Sequence, residues 1–397
     1  DADFILFNTC AIRENAEKKT YGSIGVLKGV KAERPDKIIA VSGCMTGEEH
    51  FIKRMKSTYR HVDIVLGANN IEKLPQLVYE HLINQTRIFN TEYADASVST
   101  EGLPHYRDSK IKAGVPIMYG CNNFCAYCIV PYVRGRERSR SRQDIIDEVL
   151  SLKEKGYKEV MLLGQNVNSF EGGGDSFAGL LEEVSATGIE RIRFMTPHPK
   201  DISPAVIDVM AEHKNICNSL HLPFQAGNNE VLERMNRKYT KEKYMEIVAM
   251  VREKIPDITL TSDVIVGFPG ETSEQFEDTL DVLSRVRFDM IYSFIFSPRR
   301  GTPAEKMEDV ISESEKKANF DRMIDLQNKI SLEKNLELVG KTLPVLVEGE
   351  SKTNPDTLTG RSEGGKIVNF SGSETLVSTI VDVEIISAKT WNLLGRV

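Results

Sequence analysis

The sequence of 397 residues has no apolar run that approaches the roughly 20 residues needed to cross a bilayer, so nothing in it predicts a membrane protein. Its first ten residues, Asp1 to Cys10, lack the basic start of a signal peptide. They resemble a strand entered midway, which indicates that the natural N-terminus lies upstream. We expect a cytoplasmic protein, and we expect it to be a monomer.

Positive charge is also in short supply. The 51 lysines and arginines are outnumbered by 58 aspartates and glutamates, which gives a net charge of −7. This balance excludes a protein that is basic all over, but a local basic patch is enough to bind phosphates. The Gly-rich run Glu171 to Asp175 lacks the Gly-Lys-Ser/Thr ending of a phosphate-binding loop and is predicted to be a flexible loop.

Cysteine is scarce, with six in the chain, and in this context metal ligands or free thiols are expected rather than disulfides. Three of them, Cys121, Cys125 and Cys128, form a C-x3-C-x2-C spacing on a loop after a predicted strand. A structural zinc site usually takes four ligands from paired C-x2-C motifs, and the sequence has no second pair. Three thiolates suit a [4Fe–4S] cluster whose fourth iron stays open for a small molecule. A zinc site and a chance or packing cluster of cysteines are the alternatives.

Short β-rich runs alternate with helical patterns, which predicts a multidomain α/β protein. Residues 1–90 are predicted to form a small parallel α/β domain, residues 91–113 a linker, residues 114–335 a second α/β domain and residues 336–397 an all-β barrel. The second domain has six strand candidates, at residues 115–119, 160–163, 192–194, 219–222, 263–266 and 290–296. A complete eight-unit barrel usually takes about 250 residues, so a partial, TIM-like (βα)6 barrel fits better.

Cys10 and Cys44 each follow a predicted strand of the first domain, at residues 4–7 and 37–41. In parallel sheets, functional groups gather just past the carboxyl ends of the strands. Two cysteines alone cannot hold an iron–sulfur cluster, and free cysteine also packs as a small apolar residue. On these grounds alone, packing and metal ligation both stay open for this pair.

The cysteine loop resembles that of the radical S-adenosylmethionine (SAM) superfamily, with Tyr127 as the aromatic residue before the third cysteine. The resemblance implies a partial (βα)6 barrel, in which the catalytic cluster on Cys121, Cys125 and Cys128 binds SAM at its open iron. An electron from the cluster then cleaves SAM to a 5′-deoxyadenosyl radical. Residues implied to bind the cofactor are Tyr127, Gln165, Asn166, His221, Gln225, Val266 and Gly267. His198 is a further candidate for contact with a bound molecule.

The segments Asn8 to Lys18 and Val41 to Met45 resemble the N-terminal domain of the methylthiotransferase family, and the resemblance extends over essentially the whole chain. It implies an auxiliary [4Fe–4S] cluster with three cysteine ligands. Cys10 and Cys44 are two of them, and the third is expected upstream of this sequence, since Cys217 is a poor substitute. The C-terminal barrel resembles the TRAM domain, an RNA-binding module.

Several segments resemble the tRNA-modifying branch of this family, namely residues 125–140, 196–201, 236–240, 297–303 and 360–370. This resemblance implies methylthiolation of carbon 2 of N(6)-isopentenyladenosine at position 37 of tRNA. It also implies two SAM molecules, two [4Fe–4S] clusters and an electron donor such as flavodoxin or ferredoxin. Action on threonylcarbamoyl-adenosine in tRNA or on a ribosomal-protein aspartate stays open. A non-catalytic, metal-stabilised RNA-binding protein is the remaining alternative.

Four arginines follow the cysteine loop at alternating positions: Arg134, Arg136, Arg138 and Arg140. The planar guanidinium pairs well with phosphate, so these residues are predicted to contact RNA. The alternative is a solvated junction between a loop and a helix.

Overall fold

The computed structural model describes residues 2–11, 14–92, 106–351 and 354–397, without the side chains of 14–16, 175, 355 and 356. Most of the predicted linker, residues 93–105, lies outside these ranges. The chain divides into two compact units. The first comprises Asp1–Tyr106, Tyr119–Arg138 and Ser297–Glu305, and the second comprises Arg107–Met118, Ser139–Phe296 and Lys306–Val397. The predicted domain boundaries therefore do not coincide with the unit boundaries, because the cysteine loop groups with the N-terminal residues and the C-terminal barrel with the second unit.

The first unit is built on a four-stranded parallel sheet in the order β1-β2-β3-β4. Its elements are β1 (Phe4–Thr9), α1 (Glu14–Glu33), β2 (Ile38–Gly43), α2 (Glu49–Ser57), β3 (Ile64–Leu66), α3 (Leu74–Asn84), β4 (Ile88–Asn90) and α4 (Val130–Arg134). Every residue of β2 is buried, as expected for an apolar strand covered on both faces. Ile129 and Val133, from the segment after the cysteine loop, belong to the same apolar core as Ile39 and Phe51. The cysteine loop is thus anchored in the core of this unit.

The second unit contains six parallel strands, each followed by helix, and this confirms the predicted (βα)6 arrangement. Three strands pair in the order β11-β8-β5 and three in the order β12-β13-β14, and a parallel bridge from Ile192 to Ile216 joins the two sets just before β12. The strands of this unit and its borders are β5 (Lys112–Pro116), β6 (Met118–Tyr119), β7 (Arg138–Ser139), β8 (Glu159–Leu163), β9 (Glu171–Gly172), β10 (Asp175–Ser176), β11 (Arg191–Phe194), β12 (Ser219–His221), β13 (Thr259–Val266) and β14 (Met290–Ile295). The helices are α5 (Arg142–Glu154), α6 (Phe177–Ala186), α7 (Pro204–Glu212), α8 (Asn229–Arg234), α9 (Lys241–Lys254), α10 (Ser273–Val286) and α11 (Glu313–Leu336).

The C-terminal residues of the second unit form a closed five-stranded barrel in the order β15-β16-β17-β19-β18. Its strands are β15 (Thr342–Ser351), β16 (Asn354–Ser362), β17 (Ile367–Ser371), β18 (Ile380–Ala388) and β19 (Asn392–Arg396). Alternate apolar side chains such as Val345, Val347 and Val368 fill its interior. The predicted all-β barrel is confirmed. No helix among the described residues is long and apolar enough to cross a membrane.

Two buried arginines join the five-stranded barrel to the parallel strands. Arg191 donates to the carbonyl oxygens of Arg361 and Pro344, both at 2.8 Å. Arg193 donates to the carbonyl oxygen of Ser362 at 2.8 Å and to Glu159 Oε2 at 3.0 Å. Arg191 and Glu159 are the first residues of β11 and β8. The five-stranded barrel therefore lies at the amino ends of the parallel strands, away from the carboxyl ends at which cofactor residues were predicted.

Replacing Arg193 by alanine is expected to lower the free energy of unfolding by about 3–5 kcal/mol, because it leaves the Glu159 carboxylate buried without its partner. Urea unfolding followed by circular dichroism measures the change. The matched control is Arg322→Ala, which removes an ion pair with Glu277 whose side chains are 50% and 54% exposed. The Arg322→Ala substitution should lower the free energy of unfolding by at most about 1 kcal/mol. Equal losses for the two variants would contradict the proposed role of the buried pair.

Candidate active site

The cysteine loop is held by its own backbone against the segment that follows it. Gly120 has a φ of 78°, and a Cβ at this position would lie 2.1 Å from the carbonyl oxygen of Arg136, so only glycine fits. The Cys121 amide donates to the carbonyl oxygen of Gly135 at 3.2 Å, and the Cys128 amide donates to that of Cys125 at 2.9 Å. The loop is therefore preformed, and its three thiols are free of disulfides.

The three thiols fit an iron–sulfur cluster in their chemistry and in their spacing. Cys125 is buried, Cys121 and Cys128 are half-buried, and burial is the main cause that raises the pKa of Cys121 to about 11. A thiolate in such surroundings needs a nearby cation, and iron supplies it. Three cysteines on one loop supply three of the four ligand positions of a [4Fe–4S] cluster. Tyr127 is half-buried on the same loop.

Cys10 and Cys44 lie at the same edge of the sheet in the first unit. The last residues of β1 and β2, Thr9 and Gly43, pair directly, and each is followed by one of the cysteines. Gly43 has a φ of 101°, and a Cβ there would lie 2.3 Å from the Thr9 carbonyl oxygen, so the two strand ends approach closely. Cys10 is exposed and Cys44 is buried. The register thus brings the two predicted auxiliary ligands to neighbouring positions.

Arg134 lies against Cys44 at the end of α4. Its Nε donates a hydrogen bond to Cys44 Sγ at 3.2 Å, and its carbonyl oxygen accepts one from Asn69 Nδ2 at 3.4 Å. The sequence predicts an RNA phosphate as the partner of Arg134, whereas the structure places a thiol there. Arg134 therefore contacts one of the two predicted ligands of the auxiliary centre directly.

The other arginines of this run differ in how far they are available to RNA. The Arg136 guanidinium lies over the Phe124 ring at 4.5 Å from its centroid, and Arg138 is half-buried in β7. The Arg140 side chain is only 8% exposed, and it donates to Glu148 Oε2 at 2.8 Å and to the Pro116 carbonyl oxygen at 2.6 Å. A buried, paired guanidinium is poorly placed for phosphate, so the proposed RNA contacts narrow to Arg136 and Arg138.

Within the second unit, the predicted SAM residues follow the carboxyl ends of β8, β12 and β13. Asn166 is 1% exposed, and its side chain accepts from the His198 amide at 3.2 Å and donates to Asp201 Oδ2 at 2.8 Å. Its amide group therefore supports neighbouring residues instead of facing a ligand. Gln165, one residue earlier, is half-buried.

The imidazole of His198 is buried and neutral. Burial, with Arg237 and Lys200 nearby, lowers its pKa to about 2. Its Nδ1 accepts a hydrogen bond from the Lys200 amide at 3.2 Å, which places the ring proton on Nε2. Nε2 has no hydrogen-bond partner among the described residues. His198 thus offers a buried donor at this edge that a bound molecule can accept from.

His221 is the last residue of β12 and Gln225 lies just after this strand, and both are buried. His221 Nδ1 lies 2.9 Å from Thr261 Oγ1, and its Nε2 lies 3.4 Å from Asp263 Oδ2. Gln225 has a φ of 68°, a conformation that a non-glycine residue adopts only where its surroundings enforce it. Its backbone bonds to Asp263 and Ile265 hold it there.

Val266 is the last residue of β13, and Gly267 begins a turn whose amide bonds to the buried carboxyl group of Glu271. The Gly267 amide donates to Glu271 Oε2 at 2.6 Å, and burial raises the pKa of Glu271 to about 7. Glu271 Oε1 has no hydrogen-bond partner among the described residues. Sequence reasoning named Val266 and Gly267 but did not single out this carboxyl group, although a glutamate directly after Gly-Phe-Pro-Gly was the available signal.

Three regions of the chain match known protein families. Residues 115–283 match the radical SAM superfamily, residues 1–67 match the uncharacterized protein family UPF0004, and residues 336–397 match the TRAM domain. A solved radical S-adenosylmethionine methyltransferase, TsrM from Kitasatospora setae, superposes with a TM-score of 0.57 at 13% identity, over 89% of this chain and 69% of that one. The cobalamin-dependent radical enzyme OxsB gives a TM-score of 0.52 at 13% identity, over 82% and 47%. These likenesses support the fold.

Fold, cysteine loop and family match together define a radical SAM enzyme, which uses SAM and a [4Fe–4S] cluster.

Full-length relatives are far more similar to this chain than these solved structures are. A tRNA-2-methylthio-N(6)-dimethylallyladenosine synthase from Acetivibrio thermocellus is 51% identical over all of this chain and 83% of its own length. Synthases of the same name from Alkaliphilus oremlandii and Clostridium botulinum are 49% and 46% identical, over 85% and 89% of their lengths. The chain belongs to the family of tRNA-2-methylthio-N(6)-dimethylallyladenosine synthases.

Proposed function

We propose that this chain adds a methylthio group to carbon 2 of N(6)-dimethylallyladenosine (isopentenyladenosine) at position 37 of tRNA. The observation that carries the proposal is full-length similarity to synthases named for this product. The similarity covers the N-terminal unit, the cysteine loop and the C-terminal barrel together. The C-terminal barrel matches an RNA-binding type of domain, as a tRNA substrate requires.

Cys121, Cys125 and Cys128 would hold the [4Fe–4S] cluster, which would supply the electron for splitting SAM into methionine and a 5′-deoxyadenosyl radical. Such a radical is needed because no side-chain acid or base can remove the hydrogen from carbon 2 of an adenine. The chain holds and positions the reactants. His198 Nε2–H is a neutral donor at the carboxyl edge, and Gln165, His221, Gln225, Val266 and Gly267 are proposed to line the SAM site there. Asn166 is proposed to act through His198 and Asp201, which it orients.

A second [4Fe–4S] cluster is proposed on Cys10, Cys44 and a third ligand, as the sulfur source. The pairing of β1 with β2 supports this proposal, because it brings the two cysteines to adjacent strand ends. Arg134 is proposed as a positioning residue for this centre. Its hydrogen bond to Cys44 Sγ would hold the thiolate and orient it toward iron. We further propose that the enzyme works in the cytoplasm as a monomer and takes electrons from flavodoxin or ferredoxin.

The substrate is tested by incubating cluster-reconstituted enzyme, SAM and dithionite with tRNA that carries either N(6)-dimethylallyladenosine or threonylcarbamoyl-adenosine. Digestion and mass spectrometry of the nucleosides then identify the product. The proposal predicts a methylthio product from the dimethylallyl tRNA. A product from threonylcarbamoyl-adenosine alone, or from a ribosomal protein in a parallel reaction, would overturn it.

Arg136 and Arg138 are expected to contribute to tRNA affinity by neutralising phosphates. In the double variant Arg136→Gln/Arg138→Gln, binding should weaken, and the slope of log affinity against log salt should fall by about 1 for each phosphate that is no longer neutralised. Fluorescence anisotropy with labelled tRNA at several salt concentrations measures both quantities.

Arg134→Gln is the matched control for that experiment, because it removes the same charge from the same run. Arg134 faces Cys44, so tRNA affinity and salt slope should stay at the wild-type values, whereas methylthio product should fall by about 10–100-fold. A fall in tRNA affinity as large as that of the double variant would show that Arg134 also contacts phosphate.

A further inference from the structure

Three side chains of the first unit converge at a place that the proposed reaction does not use. Glu17 lies in the first turn of α1, Glu48 directly precedes α2, and His50 is the second residue of α2. Glu17 Oε1 lies 3.3 Å from His50 Nε2, and Glu48 Oε2 lies 3.4 Å from the same nitrogen. Within the described residues, this is the one group of three or more potential ligands whose ligand atoms all lie within 4.8 Å of one another.

We infer that Glu17, Glu48 and His50 form a binding site for one divalent transition-metal ion. Two carboxylates and one imidazole are a ligand set that suits zinc, manganese and ferrous iron. When two ligand atoms each lie about 2.1 Å from one ion, they are about 3.0 Å apart in octahedral coordination and about 3.4 Å apart in tetrahedral coordination. The two distances to His50 Nε2, 3.3 and 3.4 Å, are close to this range.

The burial of the Glu48 carboxylate is an independent observation that points to a cation at this place. Its side chain is only 10% exposed, and its Oε2, the atom that faces His50, has no hydrogen-bond partner among the described residues. A buried carboxylate oxygen without a donor is costly, and a bound cation removes that cost.

The two helices that carry the three ligands pack against each other beside them through buried side chains. Tyr21, one turn after Glu17 on α1, is buried beside Phe51 of α2, with ring centroids 5.6 Å apart. The Arg54 guanidinium lies over the Tyr21 ring, 4.0 Å from its centroid. Helix α1 is the first after Cys10, and α2 is the first after Cys44. An ion on these ligands therefore ties together the two segments that follow the cysteines. The inference does not depend on the proposed function, and its failure would leave that function untouched.

The test uses Mn²⁺, which prefers oxygen and nitrogen ligands and competes little for cysteine thiolates. Cluster-reconstituted enzyme is titrated with Mn²⁺, and the signal of the free ion is followed by electron paramagnetic resonance. The wild type should bind one equivalent. Glu48→Gln and His50→Gln should each weaken binding by at least about tenfold, the lower end of the range for removal of metal-supporting residues. Glu49→Gln is the matched control, since this neighbouring acid is exposed and paired with Lys53.

A second measurement separates loss of the site from loss of the fold. Mn²⁺ should raise the midpoint of thermal unfolding of the wild type and of Glu49→Gln, and should leave those of Glu48→Gln and His50→Gln unchanged. The metal-free midpoint of each protein serves as its own reference, because removing a buried charge by itself changes stability. No bound Mn²⁺ in the wild type, or equal binding in the wild type and Glu48→Gln, would overturn the inference. Either result would leave the group as a histidine held between two glutamates.

Discussion

Replacing Cys125 by alanine will reduce the reductive cleavage of SAM to the background of the assay. Cys125 is the middle ligand of the C-x3-C-x2-C loop and is buried. Two remaining thiolates on this loop cannot hold a [4Fe–4S] cluster. Without the cluster, no electron reaches SAM, and no 5′-deoxyadenosine forms. The yield of 5′-deoxyadenosine with dithionite, measured by chromatography, gives the result directly.

The matched control is Cys217→Ala, since Cys217 is also a buried free cysteine but lies outside the loop. This variant should keep both its iron and its SAM cleavage. If Cys125→Ala cleaved SAM at a rate comparable to the control, the catalytic cluster would have to be elsewhere in the chain.

The second large effect is expected from Cys44→Ala, and it separates the two proposed clusters. The variant should lose methylthio product to the background while it continues to cleave SAM. Cys44 lies at a strand end beside Cys10, and a cluster deprived of this ligand cannot deliver sulfur. Cys121, Cys125 and Cys128 are unchanged, so the radical still forms. The two yields, of methylthio-nucleoside and of 5′-deoxyadenosine, are measured in one reaction.

Cys10→Ala should reproduce this separation, because it removes the neighbouring ligand of the same proposed centre. A Cys44→Ala enzyme that still made methylthio product at the wild-type rate would show that Cys44 is packed in the core only. The packing alternative for this pair, which sequence reasoning left open, would then be correct.

The fold was largely predictable because its strands are short apolar runs separated by helical patterns. The six strands of the partial barrel and the all-β character of residues 336–397 follow from such runs. The sequence does not predict β4, since Ile88–Asn90 is only three residues long and carries no period that distinguishes it from a loop. Helix α2 was also missed, although its apolar residues Phe51 and Met55 are spaced as on one helix face.

The site residues could be predicted where they are close together in the sequence. They could not be predicted where residues distant in the sequence come into contact only in the folded chain. The spacing of Cys121, Cys125 and Cys128 is local, so the pattern alone indicates a shared centre. Arg134 and Cys44 are 90 residues apart, and no local pattern can pair them. Asn166 shows the same limit, since its position after a strand predicts a contact with the cofactor but gives no sign that its side chain also bonds to His198 and Asp201.

The contact between the five-stranded barrel and the parallel strands could likewise not be predicted from sequence patterns. Arg191 and Arg193 lie in a short strand in which polar residues alternate with apolar ones, as they would on a solvent-facing edge. Both are buried because carbonyl oxygens of the five-stranded barrel accept their hydrogen bonds. Their partners, at residues 344, 361 and 362, are more than a hundred residues away along the chain.

We propose that a radical generated at the Cys121, Cys125 and Cys128 centre removes the hydrogen from carbon 2 of the target adenine. The most direct test is a reaction on tRNA that carries deuterium at carbon 2 of N(6)-dimethylallyladenosine. We expect deuterium to move into 5′-deoxyadenosine and the same tRNA to gain a methylthio group at that carbon. A methylthio product formed without deuterium in 5′-deoxyadenosine, or no product from this tRNA at all, would contradict the claim.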